Sequence, residues 1–437
     1  MPTLPSSFAI TGKVTAGLTR RHRRERYFRR LTVTAVVIAL ATLLSLFLSI
    51  ITTGYTAFQQ TSIRLDIDLD PAEFTDANIA RADFTSLIRK ALYTTFPEVT
   101  SHQDKERLAR LISPGAPHQL MALVTKDPRR IGTSLSVWLP ADDDVDMWQK
   151  GRYDHTAPES GRHLNDRQLS WLASLASAGR IDRKFNTTFF TNGDSREPEQ
   201  AGIWGAMCGS LYTLAITLVI SFPMGIAAAI YLEEFAPQNI WVDLVTININ
   251  NLAAVPSIIF GLLGLAIFIN SCGLPRATPV TAGLVLTLVT LPTIIITGRA
   301  ALTAVPASIR QAALAIGASK VQTITHHVLP LAMPTMLTGA IIAMTRALGE
   351  TAPLLMIGMV AFIVDAPASF TDPATVLPVQ IYLWSDNPER AFAEKTAAAI
   401  MVLLVCLLLL NGLAVYLRNR FERTSMAGPR CLSHDDT

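Results

Sequence analysis

Six tracts of the chain carry no Asp, Glu, Lys or Arg: Leu31 to Ile63, Ala201 to Leu232, Leu244 to Pro275, Ala277 to Gly298, Val321 to Thr345 and Thr396 to Leu417. Each holds an apolar core of about 20 residues, the length at which an α-helix crosses the hydrocarbon of a bilayer. Six membrane-spanning helices are expected. A seventh apolar stretch, Thr351 to Val364, is short and follows Glu350 directly, so it reads as the continuation or re-entrant end of the fifth helix.

Between the first two spans the pattern changes. In "IRLDIDLD", Ile63, Leu65, Ile67 and Leu69 alternate with polar residues, the period-2 mark of a half-buried strand, and "TSLSVWLP" (133–140) alternates again. Phe84, Leu87, Ile88, Ala91 and Leu92 recur at helical spacing between them. Residues 55–200 thus predict a small α+β domain inserted after the first transmembrane helix of an otherwise all-α polytopic membrane protein.

The later spans are interrupted. Pro223, Pro256, Pro292, Pro334 and Pro353 all fall within apolar stretches, and "NINN" (248–251) lies in the third. Proline frees a backbone carbonyl, which membrane helices tolerate where neighbouring helices or an aqueous cavity satisfy it. Together these features favour a bundle around a polar path over a plain anchor.

Composition agrees: 50% of residues are hydrophobic, 16% charged, and mean hydropathy is +0.35. Arginine placement orients the chain. "RRHRRERYFRR" (20–30) precedes the first span and "LRNRFER" (417–423) follows the last, so the positive-inside rule puts both ends in the cytoplasm and the inserted domain outside. The first apolar run is too long for a signal-peptide core and reads as an uncleaved anchor. Cys208 and Cys406 fall in spans, Cys272 in a short outer loop and Cys431 in the tail, which gives neither a disulfide framework nor a CxxC metal spacing. "ADDDVD" (141–146) lacks the glycine and closing glutamate of a calcium loop and reads as a solvated acidic loop. His102, His118, His155 and His163 have no metal spacing. No metal site is expected.

The loop between the fourth and fifth spans, "VPASIRQAALAIGASKVQTITHHVLP" (305–330), carries its own signals. Pro306 suits a first helical position, Gly317 a C-terminal cap and Ser319 the N-cap of a second helix, which predicts helix, turn, helix. Ile309, Ala312, Ala313 and Ile316 follow the spacing of one helix face, free to pack on the bundle or to fit a groove on a cytoplasmic partner.

This loop resembles the coupling segment of bacterial ABC importer permeases, whose signature is Glu-Ala-Ala, three residues, Gly, nine residues, then Ile-x-Leu-Pro. Here Gln311-Ala312-Ala313 is followed at those spacings by Gly317 and by His327-Val328-Leu329-Pro330. Gln311 and His327 replace the usual glutamate and isoleucine. The resemblance implies that Arg310, Gln311, Ala312, Ala313 and Gly317 dock on a separate cytoplasmic ABC ATPase dimer. The chain has no G-x-x-x-x-G-K-[ST] loop, so ATP and Mg would be used by that partner, with no cofactor bound and no catalysis by this chain.

"VPSIIFGLLGL" (255–265) and "RALGETAPLLMIG" (346–358) are similar to the phosphate-specific permeases of this class, the likeness running from about Ile203 to Arg420. It implies import of inorganic phosphate across the bacterial inner membrane, a second permease subunit and a periplasmic phosphate-binding protein. The chain then divides into a basic cytoplasmic N-terminus (1–30), an anchor helix (31–54), the extracytoplasmic domain (55–200), a five-helix permease core (201–420) with a coupling loop (303–329), and a cytoplasmic tail (421–437).

Arg346 and Glu350 stand four apart, hence on one helix face about 5–6 Å from each other. The planar guanidinium fork matches phosphate oxygens, and Glu350 either moderates that grip or accepts a hydrogen bond from a phosphate hydroxyl. The competing reading is an ion pair that only fixes helix packing. Thr351, Ser257 and Asn250 complete the expected substrate pathway, with interhelical hydrogen bonding as the alternative for the asparagines. Snorkelling to the headgroups accounts for Arg299. The rival functions are a permease for another oxyanion (phosphonate, molybdate or sulfate), a membrane receptor and a proton-coupled transporter.

Overall fold

The computed structural model describes residues 7–74, 82–152, 159, 162–360 and 362–426. His155 and Cys431 lie outside the described residues. The chain forms two compact units, Met1–Thr53 and Gly54–Thr437. The first is essentially one helix, α1 (Ser7–Gly54), which runs unbroken from the arginine-rich segment into the apolar one. The basic stretch is thus helical and continuous with the anchor.

The second unit begins with the inserted domain. Strand β1 (Gln59–Asp68) is central in a three-stranded antiparallel sheet of order β2-β1-β3, with β2 (Ser134–Pro140) pairing Leu65 with Val137 and β3 (Ile181–Phe185) pairing Ile63 with Ile181. The alternation predicted for β1 is realised: Ile63, Leu65, Ile67 and Leu69 are fully buried. Against them pack α2 (Phe84–Thr95), α3 (His102–Ala109), α4 (Ala116–Lys126) and α6 (Asp166–Ser177), with Phe84, Leu87, Ile88, Ala91 and Leu92 as the buried stripe of α2. Two caps set the helix starts: the Asp83 carboxylate accepts from the Ser86 N–H, and Asn165 with Gln168 forms a reciprocal box on α6. The acidic stretch is no open loop. Asp142 is the N-cap of α5 (Asp143–Gln149), and Asp143, Asp144 and Asp146 occupy its first turn, where carboxylates complement the helix dipole.

A short helix, α7 (Thr187–Thr191), leads to the bundle: α8 (Trp204–Ile230), α9 (Ile240–Ala253), α10 (Ser257–Gly264), α11 (Pro279–Thr303), α12 (Ala307–Ala315), α13 (Lys320–Thr323), α14 (Leu329–Gly349), α15 (Ala352–Met356), α16 (Leu377–Ser385) and α17 (Arg390–Met426). Helix α11 is the central post, packed on α8 and α14 and buried along most of its length. Counting α1, five helices among the described residues are long and apolar enough to span a membrane, and six if the pair Ile240–Ala253 and Ser257–Ser271, bent by 104°, is counted as one broken span.

That bend lies inside the expected third span. Pro256 has no N–H to donate, and the Ala254 and Val255 N–H groups turn back to Asn251 and Leu252, ending α9 tightly. Pro223, Pro292 and Pro334 instead sit within continuous helices. No residue of α9 is buried.

The inserted domain and the bundle share a polar seam. Lys150 Nζ lies 2.6 Å from Asp146 Oδ2 and 2.8 Å from Glu394 Oε1, so α5 is tied to the start of α17. Beside it the Ser113 hydroxyl donates to Glu199 Oε1 at 2.6 Å. Burial, then the neighbouring Asp143 and Glu199 carboxyls, push Asp142 up to about 8. Burial also lifts Glu199 to about 7, against the hydrogen bond from Ser113.

Candidate translocation and coupling sites

Helix α14 runs out at Gly349. Glu350 is the first residue beyond it, in an extended conformation (φ −76°, ψ 119°), and its N–H reaches back to Ala347. Its carboxylate accepts from Arg346 Nε at 3.2 Å, so the two charges sit at a helix end rather than inside one. There a cation is favoured, because the last carbonyls are unpaired and carry the negative end of the dipole. The Glu350 side chain is 16% exposed and that of Arg346 45%. Among the described residues the guanidinium makes no hydrogen bond besides the one from Nε.

Thr351 follows as the turn into α15, its carbonyl accepting from the Leu354 and Leu355 N–H groups. The seventh apolar stretch is thus a separate short helix after the break. It packs on α10 through Gly261, where a Cβ would lie 2.7 Å from Pro353 Cα and 2.8 Å from its carbonyl oxygen. Only a glycine permits that approach. The two stretches singled out in the sequence, "VPSIIFGLLGL" and "RALGETAPLLMIG", are therefore in contact. Ser257 opens α10 one helical turn before Gly261, half-buried.

Asn250 lies elsewhere. It lines a cavity of about 200 Å³ with Glu233, Thr246, Arg299 and Thr303. Arg299 is engaged rather than snorkelling: Nε donates to Glu233 Oε2 (3.3 Å) and Nη1 to Thr246 Oγ1 (3.0 Å), while the Thr303 hydroxyl donates to Glu233 Oε1 (3.1 Å). Asn248 donates to the Leu244 carbonyl of its own helix (2.8 Å). Of the expected pathway residues, Arg346, Glu350 and Thr351 are adjacent, Ser257 opens the helix that packs on α15, and Asn250 lines the cavity beside Arg299.

The loop between α11 and α14 folds as helix, turn, helix. Gly317 takes φ +89°, and Ser319 forms a capping box with Gln322 at the start of α13. Its predicted single face divides, because α12 ends at Ala315: Ala313 is buried and Ile309 half-buried, whereas Ala312 and Gln311 are exposed and Ile316 is 82% exposed. Arg310 points inward. Its Nε and Nη2 donate to Glu234 Oε1 (3.1 and 2.7 Å), Nη1 to the Val305 carbonyl (2.7 Å) and Nη2 to the Leu302 carbonyl (2.9 Å). Glu233 and Glu234 went unnoticed in the sequence. Their signal was there: two consecutive acids directly after an uncharged apolar tract.

A family profile described as "Binding-protein-dependent transport system inner membrane component" matches residues 221–423, and one described as "Domain of unknown function (DUF3333)" matches residues 15–159. The chain is 30% identical to the probable ABC transporter permease protein YqgI of Bacillus subtilis, over 52% of this chain and 82% of that protein. It is 30% identical to the phosphate transport system permease protein PstA 1 of Mycobacterium tuberculosis, over 51% and 72%, and 33% identical to PstA of Yersinia pestis, over 49% and 71%. Among solved structures, an inward-facing MetNI methionine ABC transporter aligns with a TM-score of 0.41 at 20% identity, over 50% of this chain and 97% of that chain.

Proposed function

Because the chain belongs to the family of binding-protein-dependent transport system inner membrane components, and is thus a membrane permease component of an ABC-type importer, we propose that its cargo is inorganic phosphate. The observation that carries this reading is the Arg346–Glu350 pair at the broken end of α14: a guanidinium whose Nη donors are uncommitted, held in place by one carboxylate. Relatives named as phosphate transport permeases support it. The planar fork binds an oxyanion through parallel N–H···O bonds, and Glu350 keeps that grip weak enough for release. Thr351 and Ser257 flank the route where α15 meets α10.

In this reading both termini are cytoplasmic, the inserted domain faces the periplasm toward a phosphate-binding protein, and a second permease subunit completes the pathway. The exposed residues of α12 and its turn, Gln311, Ala312, Ile316 and Gly317, meet a cytoplasmic ATPase dimer that uses ATP and Mg, and the chain itself performs no catalysis. Radiolabelled phosphate uptake by cells carrying Arg346→Lys or Arg346→Gln, at matched membrane abundance, tests the anion role. Loss in the Gln variant with partial retention in the Lys variant is expected; normal uptake by both removes it. A phosphonate, molybdate or sulfate permease is the second reading, favoured if one of those anions outcompetes phosphate.

A further inference from the structure

The wide π turn Tyr231–Phe235 at the end of α8 carries two consecutive glutamates, and each holds a different element. Glu233 accepts from Arg299 and Thr303 of α11. Glu234 accepts two bonds from Arg310 of α12, and the same guanidinium reaches the Leu302 and Val305 carbonyls where α11 ends. One half-buried side chain thus ties together the inner end of α8, the last turn of α11 and the helix bearing the exposed knob. The Glu234 side chain is 10% exposed and that of Arg310 23%.

We propose that the Glu234–Arg310 pair is the joint through which displacement of α12 is passed to α8 and α11. Arg310 is a positioning residue, acting through the helix it belongs to. The inference rests on the reading that α12 docks on an ATPase. The link from α11 to α12 is only Ala304, Val305 and Pro306, and Pro306 makes no backbone N–H bond across it. Without a directional tie, α12 can pivot at that link while α8 stays still. Charge-assisted bonds in a fixed fork resist pivoting in a way that the small apolar contact of Ala313 does not. The π turn at the end of α8 is what presents both acids.

The test uses the full complex, purified with its ATPase, second permease and binding protein and reconstituted in proteoliposomes, with uptake of radiolabelled phosphate and ATP hydrolysis measured together. Arg310→Gln and Glu234→Gln are expected to retain the ATPase and hydrolyse ATP, while solute moved per ATP falls at least tenfold. Arg310→Lys, which keeps the charge and loses the fork, should give an intermediate ratio. An unchanged ratio in both Gln variants overturns the proposal, and so does loss of the ATPase from the complex, which would make the pair a support for docking alone. If the wild-type chain co-purifies with no ATPase, the underlying reading fails and the joint with it. If ATP is hydrolysed but another anion is moved, only the phosphate assignment fails, and the ratio is measured with that anion.

Discussion

Replacing Lys150 by Met should destabilise the unit formed by the inserted domain and the bundle by about 3 kcal/mol. The Lys150 side chain is 3% exposed and that of Glu394 5%, with Asp146 at 17%. Methionine fills similar volume but leaves two carboxylates facing each other without their cation. Removing one member of a buried ion pair typically costs about 3–5 kcal/mol, mostly from the stranded charge. The lower end applies here, because Arg152 lies 3.9 Å from Glu394 and the Thr61 N–H donates to Asp146 at 2.8 Å. For a cooperative unit of about 380 residues, with roughly 2 cal/mol/K of unfolding entropy per residue, this is a fall in Tm of roughly 4 °C. Scanning fluorimetry of the detergent-solubilised chain measures it. The double variant Lys150→Met, Glu394→Gln removes one stranded charge and should recover about half the loss, still within that ~3 kcal/mol scale. A single-variant shift below about 2 °C, or a double variant no better than the single, refutes the account.

The Asp142 and Glu199 carboxyls have raised folded-state values of about 8 and about 7, so the native state holds protons that the unfolded chain gives up near the usual carboxylate range. Their contribution is therefore fully present below about pH 4 and lost as pH rises toward 8; Tm measured across that range should fall more steeply for the wild type than for Asp142→Asn. Gly261→Val drives a side chain into the Pro353 backbone, an overpacking penalty of about 1–3 kcal/mol, and should abolish uptake while the protein still reaches the membrane; normal uptake would mean α10 and α15 need not touch. Gly317→Ala forces φ +89° on a residue with a Cβ, about 1–2 kcal/mol of strain, and should weaken ATPase co-purification although no neighbouring atom is crowded.

Local pattern carried much of the fold. The alternation of Ile63, Leu65 and Ile67, the stripe from Phe84 to Leu92, and the cap residues Gly317 and Ser319 each depend on neighbours a few residues away, and each appears as read. What pattern missed depends on distant partners. Glu233 pairs with Arg299 across 66 residues, Glu234 with Arg310 across 76 and Lys150 with Glu394 across 244. Proline alone also said nothing about which span would break, since Pro223 and Pro292 stay within continuous helices that have buried faces, whereas Pro256 follows a helix that has no buried residue. The Arg346–Glu350 spacing was legible, but its place at a helix end was not, because Gly349 and Glu350 terminate α14 without a proline. Polarity within an apolar run is what groups Asn250 with that pair in the sequence, and polarity does not encode direction.

Helix α9 has Ile240, Trp241, Leu244, Val245, Ile247 and Leu252 all substantially uncovered, and it leans chiefly on α11. A segment in that position keeps its shape only while something greasy surrounds it, whether acyl chains or a companion polypeptide. The choice of detergent, and whether the companion is retained during extraction, will therefore decide if the kink at Ala254 to Pro256 survives purification, well before any assay of transport begins.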